Sequence, residues 1–276
     1  MAQVQWTSSM STAHFLGDLG GKGTAGTPGL SDMNIASTRY AFGTGIRIHI
    51  LPAVAVKFTG YYGRLSANDK YTSYIPRKNR NLNFFTPIYG VNGMLEAHFG
   101  FKKEAHKRFM AGIGVEYFHF NPMTRYNGSN VPLQPLGTEG QNFMAGKQPY
   151  ELNSWALPML MGYKFLYFPT GFLSVELCAR KTNTDYLDDA STTYPDKAML
   201  LANDGQMAVD LSDRSLGLIQ GFSEPGSMRA SSTYNDNFFF LSLSYTRNFG
   251  GKRTYSKTSK SGGHPIKGKQ NKCFSF

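Results

Sequence analysis

Eight strand-length segments restrict this chain more than anything else in it: one register is bulky and apolar, and the other carries glycine, small polar residues and charge at mid-segment. In "DNFFFLSLSYTRNFG" (236–250), extended backbone sends Phe239, Leu241, Leu243 and Tyr245 to one face and Phe240, Ser242, Ser244 and Thr246 to the other. "YAFGTGIRIHIL" (40–51) sets Tyr40, Phe42, Ile46, Ile48 and Ile50 against Gly43, Gly45, Arg47 and His49. "VAVKFTGYYG" (54–63) sets Val54, Val56, Phe58 and Tyr62 against Lys57, Thr59 and Tyr61. "FFTPIYGVNGMLEAHFGF" (84–101) opposes Phe85, Tyr89, Val91, Leu95 and Phe99 to Thr86, Asn92, Glu96 and His98. "FMAGIGVEYF" (109–118), "SWALPMLMGYKF" (154–165) and "GFLSVELCARK" (171–181) repeat the pattern, placing Glu116, Lys164, Glu176 and Arg180 in the polar register, and "VQWTSSMSTAHF" (4–15) is a weaker first member.

The question is which face meets water. A soluble sandwich or lipocalin-like barrel would turn the apolar register inward and leave the charges outside. The glycines oppose that arrangement, because Gly43, Gly45, Gly112, Gly114 and Gly162 weaken an exposed strand but suit a crowded barrel interior. Acids and bases are balanced along the register, so Arg47, Lys57, Glu96, Glu116, Lys164, Glu176 and Arg180 are expected to pair inside as a lumen charge network, with the apolar register facing lipid. The expected fold is an all-β, eight-stranded antiparallel transmembrane barrel of the outer-membrane type.

Connection lengths agree with this. They alternate long and short: residues 17–34, "LPA" (51–53), 66–80, "GFKKEAHKR" (100–108), 121–150, "FPTG" (168–171) and 181–235. Outer-membrane barrels have short periplasmic turns and longer extracellular loops, which puts both termini of an eight-stranded chain in the periplasm. The expected organisation is therefore a barrel over residues 1–249 with four long extracellular loops, followed by a basic periplasmic tail at 250–276. No run approaches the ~20 apolar residues that a spanning helix needs. Met1 is followed by polar "AQVQWTSS" and not by a basic and then apolar leader, which leaves a cytosolic chain or a mature exported chain given a start Met; the "AQ" junction favours the second.

The segments "FLGDLGG", "YYGRLSAND", "NLNFFTPIYG", "ARKTNTDYLDDAST" and "DRS", in this order and spacing, resemble the PorG family of outer-membrane proteins of the type IX secretion system, over Leu16 to about Phe249. The resemblance implies a non-enzymatic barrel that anchors or organises a periplasmic ring, built from the lipoprotein PorK and its partner PorN, in secretion and often gliding motility. It brings no catalytic, cofactor or metal residues. The alternative function is a small outer-membrane pore or a rim-site barrel enzyme of protease or acyltransferase type.

Other chemical signals are weak. His14 with Asp18, and His119, could sit at an outer rim, but no base, orienter and nucleophile set can be assembled around them. "DYLDDAST" with Asp196 and Asp204 offers carboxylates without the ligand alternation of a calcium loop, and it reads as a capped turn. "GDLGGKGTAG" lacks the GK[ST] ending of a phosphate-binding loop.

After Phe249 the chain carries seven Lys or Arg and no acid. That composition cannot fold alone, so the tail is expected to be disordered or ordered by a partner. A periplasmic tail would not meet nucleic acid; anionic lipid headgroups, lipopolysaccharide among the membrane lipids, compete with a protein partner. Lys267, Lys269, Lys272, Cys273, Phe274 and Phe276 are the expected partner-binding residues. Cys178 lies in the inward register, too far to meet Cys273 without threading the lumen, so Cys273 is a candidate for an intermolecular disulfide with a periplasmic partner.

Overall fold

The computed structural model describes residues 3–21, 34–100 and 108–249. The expected tail residues Lys267, Lys269, Lys272, Cys273, Phe274 and Phe276 lie outside them. Eight long strands build the wall: β1 (Gln3–Leu16), β2 (Arg39–Leu51), β3 (Val54–Asn68), β4 (Asn83–Phe99), β5 (Phe109–Phe120), β8 (Asn153–Phe168), β9 (Gly171–Thr182) and β10 (Asn237–Phe249). Each pairs antiparallel with its neighbours in the order β3-β2-β1-β10-β9-β8-β5-β4, and β3 pairs with β4, so the sheet closes without an edge. The closing pair β1–β10 runs in continuous register from Val4↔Phe249 to Leu16↔Asn237, which places the start of β1 and the end of β10 at the short-turn end.

The two registers separate as alternation requires. Phe58, Val115 and Met161 are 57%, 63% and 70% exposed on the outer face, while Arg47, Glu96 and Glu116 are 0% exposed within. An apolar outer wall around a charged interior is the pattern of a barrel surrounded by lipid. Glycine is required where the wall is tightest: a Cβ on Gly45 would stand 2.1 Å from the Phe58 carbonyl oxygen, and one on Gly114 would stand 2.1 Å from that of Gly93. No helix among the described residues is long and apolar enough to cross a membrane.

Four features depart from the expected pattern. Phe239, counted in the outward register, is 5% exposed, because its ring stacks on His14 at 4.6 Å between centroids where the wall meets the first loop. The third long connection holds a hairpin, β6 (Met123–Tyr126) and β7 (Ser129–Pro132), which joins the wall through Phe85↔Met123. Its turn is Asn127-Gly128 with φ 47° and 84°, the backbone that a two-residue hairpin demands and that Asn-Gly tolerates. The fourth carries α2 (Lys197–Ser212), capped where Asp196 Oδ1 accepts the Met199 N–H at 2.9 Å and broken at Gly205, whose φ of 82° no helical residue adopts. A short helix, α1 (Ile75–Arg80), lies in the second connection and ends at Asn81 in the left-handed region.

Candidate functional site in the lumen and its cap

The interior is layered. Toward the short-turn end, Arg47 (β2), Lys57 (β3), Glu96 (β4) and Glu176 (β9) meet across the barrel. Arg47 donates Nε to Glu96 Oε2 at 2.5 Å and Nη2 to Glu96 Oε1 at 3.3 Å, and lies 3.7 Å from Glu176 Oε1. Lys57 Nζ donates to Glu176 Oε2 at 2.9 Å and stands 3.7 Å from Glu96 Oε1. Two cations thus bracket two carboxylates, the alternating arrangement in which each charge has two opposite neighbours. Lys164 joins through His98: its Nζ is 2.7 Å from His98 Nδ1, and His98 Nε2 is 3.3 Å from Glu96 Oε2.

A second tier lies closer to the long-loop end. Arg180 Nε donates to both Glu116 oxygens, at 3.0 and 2.9 Å, while Tyr61 OH and Asn92 Nδ2 donate to the same carboxylate at 2.7 and 3.2 Å. The guanidinium lies over the Phe240 ring at 4.1 Å. Between the tiers Met94, Leu160 and the free thiol of Cys178 line a cavity of about 40 Å³ with room for a few waters, and Met110 packs in the same cluster. All seven sequence-predicted lumen charges therefore lie in the interior, four in one cluster, two in another and Lys164 linked by a histidine. Tyr61, Asn92 and His98 complete the network; their place in the polar register was the signal available for them.

Above the upper tier the lumen turns apolar. Phe15, Phe84, Ile88, Phe118, Phe120, Phe238 and Phe240 fill it, with Leu187 of the fourth loop pressed in from above. The loops then tie themselves together over this plug. Arg80 donates to Asp69 at 2.8 and 3.1 Å, to the Arg229 carbonyl at 2.7 Å and to the Asp18 carbonyl at 2.8 Å. Arg229 donates to Glu139 Oε1 at 3.0 Å and to the Asp189 carbonyl at 2.6 Å, and Glu139 accepts the Ser191 and Thr192 N–H groups at 2.9 and 3.1 Å. All four long connections are joined through these two arginines. Isolated charges in turn-rich sequence gave no sign of the knot, because its partners come from four separate loops.

Several segments set apart in the sequence meet here. "FLGDLGG" supplies Asp18, "YYGRLSAND" supplies Asp69, and "ARKTNTDYLDDAST" supplies Asp189, Ser191 and Thr192. Carboxylates crowd this cap. Burial raises Asp185 to about 7 and Asp189 to about 6, and burial together with Asp18 and Asp185 pushes Asp188 well above the usual range. Asp236 is raised the same way, by burial and then by Asp188 and Asp185. Asp188 Oδ1 caps the Ala190 N–H at 3.0 Å, Asp196 caps α2, and Asp204 Oδ1 accepts from Asn142 at 2.7 Å, so these carboxylates serve separate turns.

The rim histidines are engaged in structure. His14 contacts Thr12 Oγ1 and Thr38 Oγ1 at 3.0 and 3.4 Å, Asp18 Oδ2 accepts the Ser231 N–H, and His119 Nδ1 is 2.9 Å from Asn153 Oδ1. Their partners are hydroxyl, amide and backbone groups.

These features define an outer-membrane-type β-barrel of eight strands with a filled, charged lumen. No protein-family model matches the chain, and no curated protein sequence matches it. Among solved structures it is similar to Ail, the attachment invasion locus protein of Yersinia pestis, crystallised with the heparin analogue sucrose octasulfate (6% identity, TM-score 0.41, 90% of this chain and 99% of that one). It is also similar to Neisserial surface protein A (9% identity, TM-score 0.40, 90% and 99%) and to a Pseudomonas aeruginosa FadL homologue (14% identity, TM-score 0.23, 66% and 46%).

Proposed function

We propose that the protein is a non-enzymatic outer-membrane component of a type IX secretion system, one that anchors or organises a periplasmic PorK/PorN ring, with the short turns and both termini in the periplasm. The observation that supports a scaffold over a conduit is the filled lumen: two tiers of paired charge, an aromatic plug and a knotted cap succeed one another along its length. The secretion system itself rests on the sequence resemblance. In this reading the barrel supplies rigidity and membrane residence, and the basic tail with Cys273 and Phe274 supplies the periplasmic contact. A pore or rim-site enzyme is the competing reading.

The test is recovery of the intact protein from native membranes, with identification of what accompanies it, beside a chain truncated after Gly250. The proposal expects ring proteins with the full chain and their loss, together with loss of secretion, from a truncated barrel that still inserts. Partners retained by the truncated barrel would move the contact to the short turns. Ring proteins missing from the full-length material, or steady conductance steps in planar bilayers, would overturn the assignment.

A further inference from the structure

The eight strands of the wall contain three acidic residues, Glu96, Glu116 and Glu176, and all three are buried in the lumen. The outer face of the wall therefore carries no carboxylate, and a cation placed there finds no partner on its own face. Arg64 of β3 is such a cation. It is exposed and lies two residues beyond Tyr62, which pairs with Tyr89 of β4 in the outer aromatic girdle. Two residues of strand amount to about 7 Å along the chain, which carries Arg64 from the girdle into the headgroup layer. Its guanidinium lies over the ring of Phe85, in the outward register of β4, at 3.6 Å from the centroid, which holds the fork against the outer wall.

Phe85 joins this site to a second arginine. It pairs with Met123 of β6, so Met123 shares the outer face, and alternation returns the exposed Arg125 to that face two residues on. Thr124, between them, turns the other way: it is buried and donates Oγ1 to Asn83 Oδ1 at 2.8 Å. Neighbouring strands lie about 4.8 Å apart and rise about 3.4 Å per residue, which sets the Arg125 Cα about 8 Å from that of Phe85. The Arg125 side chain can span that gap, so both forks can reach one ligand over Phe85 and Met123. Neither Arg64 nor Arg125 enters an ion pair or a hydrogen bond among the described residues, and the β6–β7 hairpin contains no acid. Arg47, Arg80, Arg180 and Arg229 are each matched to a carboxylate. Two unmatched forks on one face call for an anion from outside. Beneath them Tyr62, Tyr89 and Val91 are 60%, 50% and 63% exposed and continuous with the lipid-facing wall. A ligand suited to this surface has a phosphate at the headgroup level and acyl chains below it.

We propose that Arg64 and Arg125, held on the outer face of β3, β4 and β6 by the Phe85–Met123 pairing, bind a phosphate of the outer-leaflet glycolipid, the diphosphoryl lipid A moiety of lipopolysaccharide, with its acyl chains lying along Tyr62, Tyr89 and Val91. The proposal rests on the orientation in which the long loops face outward and is independent of the secretion assignment. Arg64, fixed by the Phe85 ring, is the fork that takes two phosphate oxygens from the membrane side. Arg125 closes on the same phosphate from the hairpin above.

The experiment is native mass spectrometry of the full-length barrel in detergent with added diphosphoryl lipid A, fully dephosphorylated lipid A, or inorganic phosphate. Wild type should retain diphosphoryl lipid A and hold the dephosphorylated form about tenfold more weakly or worse, a comparison that needs no variant. Arg64→Gln with Arg125→Gln should weaken retention by about tenfold or more. The pair Arg64→Lys with Arg125→Lys, which keeps both charges and loses both forks, should fall between. Lys181→Gln removes an exposed cation near the long-loop end of β9, three strands from β4, and should leave retention unchanged. Equal retention of the dephosphorylated lipid, equal loss in Lys181→Gln, or displacement of the lipid by millimolar inorganic phosphate would overturn the proposal. Recovery of ring proteins does not depend on any of these outcomes, so failure here is separable from failure of the secretion reading.

Discussion

Glu116→Ala removes the centre of the upper lumen tier. The carboxylate is 0% exposed and receives donors from Arg180, Tyr61 and Asn92. Its loss strands the Arg180 guanidinium among Tyr61, Phe238 and Phe240, with only the Cys178 carbonyl at 3.2 Å left as a described acceptor. Breaking a buried ion pair by removing one partner costs about 3 to 5 kcal/mol. The adjacent cavity of about 40 Å³ can admit water to the vacated site, which moves the expectation to about 3 kcal/mol. The assay is reversible denaturant unfolding of the barrel in lipid vesicles, followed by the fluorescence of Trp6 and Trp155, both on the outer face. Pairing the substitutions as Glu116→Leu with Arg180→Met should recover most of the loss, since an apolar replacement of a buried pair is often neutral or stabilising. A loss below about 1 kcal/mol for Glu116→Ala, the range of solvent-exposed pairs, would show that water fills the lumen and screens these charges, and the filled-barrel argument would fail.

Leu243→Arg, on the outer face of β10, should cost about 2 to 4 kcal/mol in membrane insertion if it lies near the bilayer midplane, read as a drop in the heat-modifiable folded band; wild-type insertion would reverse the assignment of faces. Ser244→Arg, its buried neighbour, should instead fold poorly for want of space, and an outward probe should not reach it. Raised carboxyl values mean that the folded cap binds protons the unfolded chain releases, so the stability of the fourth loop should be greatest below the ordinary 3.8 of aspartate and fall as pH climbs to about 7; limited proteolysis of residues 183–236 should quicken over that interval, and slower cleavage at pH 7 than at pH 5 after correction for protease activity would contradict it. Arg80→Met should loosen the first, second and fourth loops together, because it removes the bonds to the Asp18 and Arg229 carbonyls as well as to Asp69, seen as faster amide exchange in residues 183–236 as well as 69–82. Exchange that changes in the second loop alone would dissolve the idea of a single knot.

The faces of the wall were legible because strand alternation is a local property: once residues 40–51 are extended, Arg47 and Ile46 must point to opposite sides whatever the rest of the chain does. Glycine beside charge then indicated which side was crowded, and the unequal connections indicated an up-and-down closure. Sequence could also have shown the β6–β7 hairpin, since Asn127-Gly128 between short extended runs is a strong turn signal, but it lay inside a stretch with too little apolar alternation to be read as strand. What remained hidden is everything that depends on the tilt and register of a closed sheet. Arg47 meets Glu96 and Glu176, and Arg180 meets Glu116, because strands far apart in the chain come opposite one another across the lumen at matching depth. The outward register alone could not bury Phe239, which needed His14 beside it at the rim. The cap is the extreme case: Arg80 and Arg229 join partners from four loops, and loop closure leaves no periodic trace in sequence because irregular backbone has no repeat to reveal which side chains converge.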